Sequence, residues 1–590
     1  MYEAIAALKR PEKEALKMRS VIREHLHFIV VVTLLTLVMT FPTIAYVFRS
    51  DVFWLPTGQS HDVYIALWDV WYGAKVLTGQ ADRFFTDLMF YPEGVSLAYH
   101  PLVIPHIIPV NLLNLILPFA GAFNLGFLLI ILASTLTAYI YLNWLLRDKW
   151  IALFGAVIFG CSPHVLGHPN HPAIAYVASM PVTIYCFHRG VQEDRLLFVG
   201  FAGLFAGLSS WIIMYVYICI LITLGLFTCA LALSKWKEKR FWIQIGLLIA
   251  SVFAFSILRI YPLMADSQAQ AQAAAWYGNR EPSMDIMSFF INLHHPIFGP
   301  AALSIFQTPV DARLSPSVFL GYLPLGLIGF GFCRSSNRRS MASWAALGVV
   351  FFVLQLGSFL YVNGTLFGAF PLPKYFLDRL FPSVFRSFFQ TDILHMGLLL
   401  PVAVLSSYGL SAFLQRRAMQ SRHLVVLLLV AVVAFEYYIP KKENSIPREE
   451  FEFIDWLAAT ENESEIRLIN LPMGRKNSKR YNLYQALSGY PHAEGAISRT
   501  PDRAFDYIRA NPILEVWNRN LPITCSLENR DNYLSALSQV EADGFTHVVF
   551  HQNVGNRLTV VDSFENADPS YKDDFVWIFD MDNLRESCPN

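Results

Sequence analysis

A carboxylate ahead of an aromatic run is the first feature of this sequence able to do chemistry. Pro56-Thr-Gly-Gln-Ser-His-Asp62 leads into Val-Tyr-Ile-Ala-Leu-Trp-Asp69. An acid there can act as general base on a hydroxyl when its surroundings tune its pKa. Placed just before an apolar-periodic run, the same acid is also a standard helix N-cap. Asp69 lies on the same helical face and reads as a solvated or structural carboxylate. Farther on, Phe84-Phe-Thr-Asp87-Leu-Met-Phe-Tyr-Pro-Glu93-Gly sets two acids among aromatics. Turn chemistry accounts for Glu93, and Asp87 stays a candidate contact to donor or acceptor. In Ser162-Pro-His164-Val-Leu-Gly-His168-Pro-Asn170-His171-Pro, three histidines and an asparagine gather. His168 and His171 could bind a divalent metal, donate to phosphate oxygens or shuttle protons. The prolines exclude one regular helix, and so a His-x-x-x-His zinc helix; interfacial packing of the rings is the plainer reading. His294-His295-Pro296 follows Asn292, and Arg386 stands in Val-Phe-Arg386-Ser-Phe-Phe, after Lys374 and Arg379. An arginine among aromatics at a membrane surface can clamp a phosphate or simply snorkel to the headgroups.

The elements that must position these groups are apolar. Of 590 residues, 54% are hydrophobic and only 15% charged, against about 25% charged in ordinary soluble domains. The 45 Lys+Arg balance 45 Asp+Glu, so no overall basic charge points to nucleic acid. The seven cysteines form no CxxC pair, which argues against a zinc ribbon. Apolar runs predict eleven spans, near 28–48, 122–145, 150–163, 173–188, 196–209, 212–233, 241–260, 317–333, 341–360, 393–414 and 423–439. Leu102–Phe119, with Pro105, His106, Pro109 and Asn111, reads as re-entrant or interfacial. Basic residues gather in the segments this count puts inside, among them Lys9, Arg10, Lys13, Arg147, Lys235, Arg240, Arg338 and Arg416, and thin out in the outer loops. The expected layout is a cytoplasmic N-terminus with an amphipathic helix within 1–27, a membrane domain over 28–440, and long outer loops 49–101, 261–316 and 361–392. From 441 to 590 the chain turns polar and reads as a small extracytoplasmic α/β domain. Its strands are expected at Ile466–Leu471, Thr546–His551 and Phe575–Phe579, and its helices at Phe451–Ala459 and Asp531–Ala542. Cys525 and Cys588 would lie in an oxidising place and could pair. No span carries a charge near its centre, unlike ion-coupled transporters, and there is no Walker motif or dinucleotide fingerprint.

The segments Asp62…Leu67-Trp68-Asp69-Val-Trp71, Phe85-Thr-Asp87-Leu-Met-Phe-Tyr-Pro-Glu-Gly94, Gly167-His168-Pro-Asn170, His294-His295-Pro296 and Phe385-Arg386-Ser-Phe complete the pattern. With this layout the chain resembles the GT-C superfamily of integral membrane glycosyltransferases, in an uncharacterised bacterial branch, over about residues 28–440. The resemblance implies an α-helical polytopic fold with interfacial helices in the first outer loop. It implies an inverting transfer of a sugar from a polyprenyl-phosphate donor to an acceptor hydroxyl on a glycan, lipid or protein, at the extracytoplasmic face of the plasma membrane. Asp62 is then the catalytic base. Asp87, His168, Asn170, His171, His294, His295 and Arg386 are expected to contact donor or acceptor. Many members carry two adjacent acids in this loop; here His61 precedes Asp62, and a divalent cation, Mg or Mn, is admitted without being required. Two rivals are a lipid or glycan transporter and a non-catalytic membrane subunit whose outer domain docks a partner complex.

Overall fold

The computed structural model of the chain describes residues 25–49, 52–55, 62–169, 171–266, 283–305, 315–368, 370–385, 391–415, 419–440, 444–460 and 465–589 apart from 553, 555–559 and 565–566. The expected amphipathic N-terminal helix lies outside them, as do His61, Asn170 and Arg386.

Helices stand at all eleven of the apolar runs: His25–Met39, Phe119–Leu146, Lys149–Gly160, Ser179–Gln192, Leu196–Ser209, Met214–Lys235, Lys239–Ala265, Tyr322–Arg334, Arg338–Gln355, His395–Leu414 and Met419–Tyr437. Four segments, 119–146, 214–235, 239–265 and 391–414, are long and apolar enough to cross a membrane by length and composition. The central helix His395–Leu414 is buried along nearly its whole length. It approaches its neighbours through small residues: a Cβ on Gly409 would lie 1.9 Å from the Leu327 carbonyl oxygen. Asp148 caps the helix Lys149–Gly160 by accepting from the Trp150 and Ile151 amides, and its other carboxylate oxygen binds Arg422 at 2.8 Å.

The stretch Leu102–Phe119 does not form one long helix. Ile104–Leu113 is a ten-residue helix, and Pro118 then caps the long helix Phe119–Leu146. The short helix lies against the helix Asp62–Leu77, where Asn111 Nδ2 donates to the Val70 carbonyl at 3.1 Å.

Beyond residue 440 a separate core forms around Ile469, Leu471, Trp517, Leu537, Val548 and Phe579. Its four-stranded sheet runs in the order Leu468–Leu471, His547–His551, Val576–Asp580, Tyr571–Lys572. The first pair is parallel and the others antiparallel. The helices Glu452–Thr460 and Arg530–Ala542 match the amphipathic runs, and Cys525 and Cys588 are joined in a disulfide.

The first loop and this polar region are stitched together. Val52–Leu55 pairs antiparallel with Asn444–Pro447. His492 gives its carbonyl to the Tyr91 amide and its amide to the Leu88 carbonyl. Trp68 Nε1 donates to Gln485 Oε1 at 2.7 Å, across 417 residues of sequence.

Candidate active site

Asp62 is the first residue of the helix Asp62–Leu77, whose Val63, Tyr64, Leu67 and Trp68 are buried. Burial of that face fixes the helix, so its first carboxylate is held at the helix N-terminus, where the backbone dipole favours a negative charge. Both carboxylate oxygens have partners. His171 Nε2 lies 3.1 Å from Oδ2. Lys479 Nζ, from the helix Arg475–Ser488 of the C-terminal region, lies 2.5 Å from Oδ1. A carboxylate only accepts, so His171 donates through Nε2. Burial pushes the Asp62 pKa up, but the hydrogen bond and charge of His171, and then of Lys479, outweigh it and hold the acid well below its usual range.

Two turns along the same face, Asp69 Oδ1 lies 2.5 Å from His100 Nε2. His100 Nδ1 accepts from the Ser498 amide at 3.1 Å, so its proton sits on Nε2 and points at Asp69. Asp69 thereby holds a second junction between the first loop and the C-terminal region.

Beside that junction two guanidiniums converge. Arg83 Nη2 donates to the His100 carbonyl at 3.2 Å, and Arg259 Nη1 to the Ala98 carbonyl at 2.6 Å. Both lie over the Phe84 ring, at 5.4 and 5.9 Å, and within electrostatic reach of each other. Among the described residues, Nε and Nη1 of Arg83 and Nε of Arg259 are buried without hydrogen-bond partners. Burial pulls Arg83 down to about 10, with Asp69 opposing. Arg499 continues the basic rim, over Tyr99 at 5.3 Å and bonded to Tyr215 Oη at 3.2 Å. Like charges with unfilled N–H groups in a nearly dry site are a receptor for an anion with several oxygens.

The other expected residues are spread out. His168 Nδ1 lies 2.6 Å from the His164 carbonyl, and its ring packs against that of His164. His295 is buried, donates from Nε2 to the Phe435 carbonyl at 2.9 Å and accepts the Ile297 and Phe298 amides at Nδ1. With both nitrogens committed and its ring stacked on Phe298, His295 holds its own loop and has no valence left for a donor phosphate. His294 beside it and Asp87 after the short strand Phe85–Thr86 are exposed. Of the expected residues, the described part of the chain joins only Asp62 and His171 by a direct bond.

No family model and no curated protein matches the sequence. Solved structures do match. The arabinofuranosyltransferase AftD from Mycobacteria superposes with a TM-score of 0.54 at 14% identity, over 94% of this chain and 41% of that one. The fold is similar to that of this arabinofuranosyltransferase. The chain spans about two fifths of the AftD chain. The oligosaccharyltransferase AglB from Archaeoglobus fulgidus, solved with an inhibitory peptide and a dolichol-phosphate, matches at 0.48 and 12% identity, over 90% of this chain and 70% of that one. ArnT from Cupriavidus metallidurans matches at 0.41 and 11%, over 97% and 100%.

Within this fold, sequence reasoning missed Lys479, Arg83 and Arg259. Lys479 stands in Arg475-Lys-Asn-Ser-Lys479-Arg, which reads as a solvated charge run, and Arg259 as a marker of a span's end. Only Arg83, a lone cation in an aromatic setting before Phe84-Phe85, carried a local signal. Among the described residues no three His, Cys, Asp or Glu side chains converge with ligand geometry, and an ammonium already occupies one Asp62 oxygen.

Proposed function

We propose that the protein is a membrane glycosyltransferase that moves a sugar from a polyprenyl-phosphate donor to an acceptor hydroxyl, with inversion, and that Asp62 is the general base. The observation that carries this reading is one carboxylate at the start of the helix Asp62–Leu77 and one buried arginine pair bonded to the Ala98 and His100 carbonyls, in the loop whose His100 ring binds Asp69 of that helix. The acceptor oxygen attacks the anomeric carbon from the side opposite the phosphate. Its proton passes to Asp62, the bond from that carbon to the phosphate oxygen breaks, and the electron pair leaves with the phosphate. Arg83 and Arg259 receive the phosphate and its growing charge, so their work is electrostatic.

The dimensions support this. Asp62 and Asp69 are seven residues apart, an axial offset of about 10 Å, and Arg83 lies at the Asp69 end. In-line attack with reacting atoms about 3 Å apart, flanked by hydrogen bonds of about 2.8 Å, spans a similar length. The disulfide Cys525–Cys588 favours an extracytoplasmic C-terminal region. The skew of basic residues favours a cytoplasmic N-terminus in the plasma membrane. The arginine rim supports membrane-borne phosphate as the donor handle, and the acceptor is a hydroxyl of a glycan, lipid or protein.

The test is mass spectrometry of co-purified lipid, with sugar transfer from lipid-linked donors measured on wild type, Asp62→Asn and Arg259→Met. A bound polyprenyl-phospho-sugar, kept by Asp62→Asn and depleted in Arg259→Met, is expected. Transfer by Asp62→Asn should fall by about 10²–10⁴. Bulk phospholipid alone in all three, with transfer indifferent to Asp62, would turn the reading to the non-catalytic subunit.

A further inference from the structure

The loop between the helices Arg338–Gln355 and His395–Leu414 is built inside out for a segment in water. Its helix Pro373–Leu380 buries two of its three charges: Lys374 is 0% exposed and Asp378 7%, while Arg379 is exposed and donates from Nη1 to the Tyr375 carbonyl at 3.1 Å. Lys374 Nζ lies 2.8 Å from both Asp378 oxygens and also reaches the Phe385 carbonyl. Leu377, on the same inner face, packs against the main membrane-domain core. The opposite face shows Phe376 and Leu380, 52% and 70% exposed, with Phe381 just past the helix end at 56%. The hairpin before it, Tyr361–Val362 paired with Thr365–Leu366, leads into Phe367 and Phe370, 69% and 87% exposed.

A water-facing helix arranges these residues the other way round. Contiguous aromatic exposure of this kind marks an interaction surface. Its level in the molecule identifies the partner. The Leu372 amide donates to the Ser358 carbonyl at 2.9 Å, and Ser358 Oγ donates to Asp378. Ser358 is three residues past the apolar helix Arg338–Gln355, whose Val349 is itself 59% exposed. The aromatic face therefore continues an outward apolar surface at the end of a membrane-domain helix, where aromatic side chains meet headgroups and upper acyl chains.

We infer that residues 361–381 form a lipid-embedded wedge, with Phe367, Phe370, Phe376 and Leu380 in the acyl region of one leaflet and the Lys374–Asp378 pair turned into the protein. The occupant of the face is the bilayer. The wedge ties down a loop that the Asp285 carboxylate also holds, by accepting the Gly364 amide. This does not depend on the transferase reading.

The test uses the full chain in phosphatidylcholine nanodiscs. Exposed Cys229 and Cys333 are replaced by serine, and a single NBD probe is attached through Phe370→Cys, Phe376→Cys or, as a water-exposed control, Leu527→Cys. Probes at 370 and 376 should be quenched by phosphatidylcholine brominated high on the acyl chain. They should also be shielded from iodide at least several-fold relative to 527. Iodide quenching equal to that at 527 would overturn the inference. So would shielding from iodide without quenching by brominated lipid, because protein would then cover the face.

Discussion

Replacing Lys479 with methionine tests whether the C-terminal region tunes the candidate base. Methionine keeps the apolar stem and removes the ammonium 2.5 Å from Asp62 Oδ1. The two side chains are 21% and 30% exposed, which places the contact between a surface and a buried pair. A hydrogen bond to a charged group is worth about 1.5–3 kcal/mol, and partial exposure sets this one at the lower end, about 1.5. That corresponds to about one pKa unit. The sign follows from direction: the folded Asp62 lies below its unfolded value. Its stabilising contribution is thus complete above the unfolded value, near pH 4, and is lost as pH falls through the folded value. Lys479→Met should remove about 1.5 kcal/mol of that contribution at neutral pH, and the difference from wild type should hold through pH 4 and shrink only as pH falls through the folded values of Asp62, well below 4.

Catalysis gives the second readout. If Asp62 takes the acceptor's proton, the acid limb of kcat/KM moves up by about one pH unit in Lys479→Met, and transfer at pH 7 persists because the carboxylate stays ionised. Lys479→Arg should restore the wild-type limb. Hydrogen exchange at amides 475–488 reports docking, which the Trp68–Gln485 bond and the strand pair 52–55/444–447 should preserve. An unmoved acid limb with intact docking would refute control of Asp62 by Lys479. A loss at pH 7 as deep as that of Asp62→Asn would mean that Lys479 itself touches the substrate.

Arg259→Met should raise the donor Kd at least tenfold, about 1.4 kcal/mol, while the melting temperature without donor holds or rises, because one of two facing buried cations is gone; a large drop in melting temperature would make the arginine structural. Cys525→Ser opens a disulfide closing 63 residues, and the chain-entropy model gives a loss of up to about 4 kcal/mol in the C-terminal region, read as a lower denaturation midpoint by far-UV circular dichroism. Gly409→Ala puts a methyl 1.9 Å from the Leu327 carbonyl oxygen and should cost upward of about 1–3 kcal/mol, seen as a lower melting temperature in detergent, whereas Gly225→Ala, with open space at its Cβ, should be neutral.

The helices of the membrane domain were legible because apolar length is local information. The strands Leu468–Leu471, His547–His551 and Val576–Asp580 sit within a residue or two of the apolar runs at 466–471, 546–551 and 575–579 for the same reason. Leu102–Phe119 was legible as an interruption, since Pro109 and Pro118 limit how far one helix can run there. Asp69 was read as a solvated or structural carboxylate without choosing between them, and its bond to His100 shows the structural role. The rest of the site was hidden by its construction. Lys479 and Asp62 belong to segments with no shared period, and nothing in a charged run says which of its lysines faces a carboxylate. Arg259 lies at the end of an apolar helix, where snorkelling and anion binding look alike until burial separates them; at 3% exposure it is not snorkelling.

The contact of Lys479 with Asp62 leaves room for chemistry without opening the molecule. An ionised carboxylate offers about four lone-pair sites, and among the described residues these two bonds use one on each oxygen. An acceptor hydroxyl can join as a third partner while Lys479 and His171 stay in place. Each of the two residues then has two opposed effects: it lowers the basicity of Asp62 and it fixes where the carboxylate points. In the proposed function an oriented weak base suffices because a phosphate leaves readily, so positioning and neutralisation of charge would carry more of the barrier than proton affinity does. The same reasoning explains why the base is assembled across the chain. The helix Asp62–Leu77 is set by packing against Ile104–Leu113 and against Arg475–Ser488, and without Lys479 only His171 would hold the Asp62 carboxylate among the described residues. The polar C-terminal region is therefore part of the catalytic centre in the proposed function, supplying the cation that fixes where the carboxylate points.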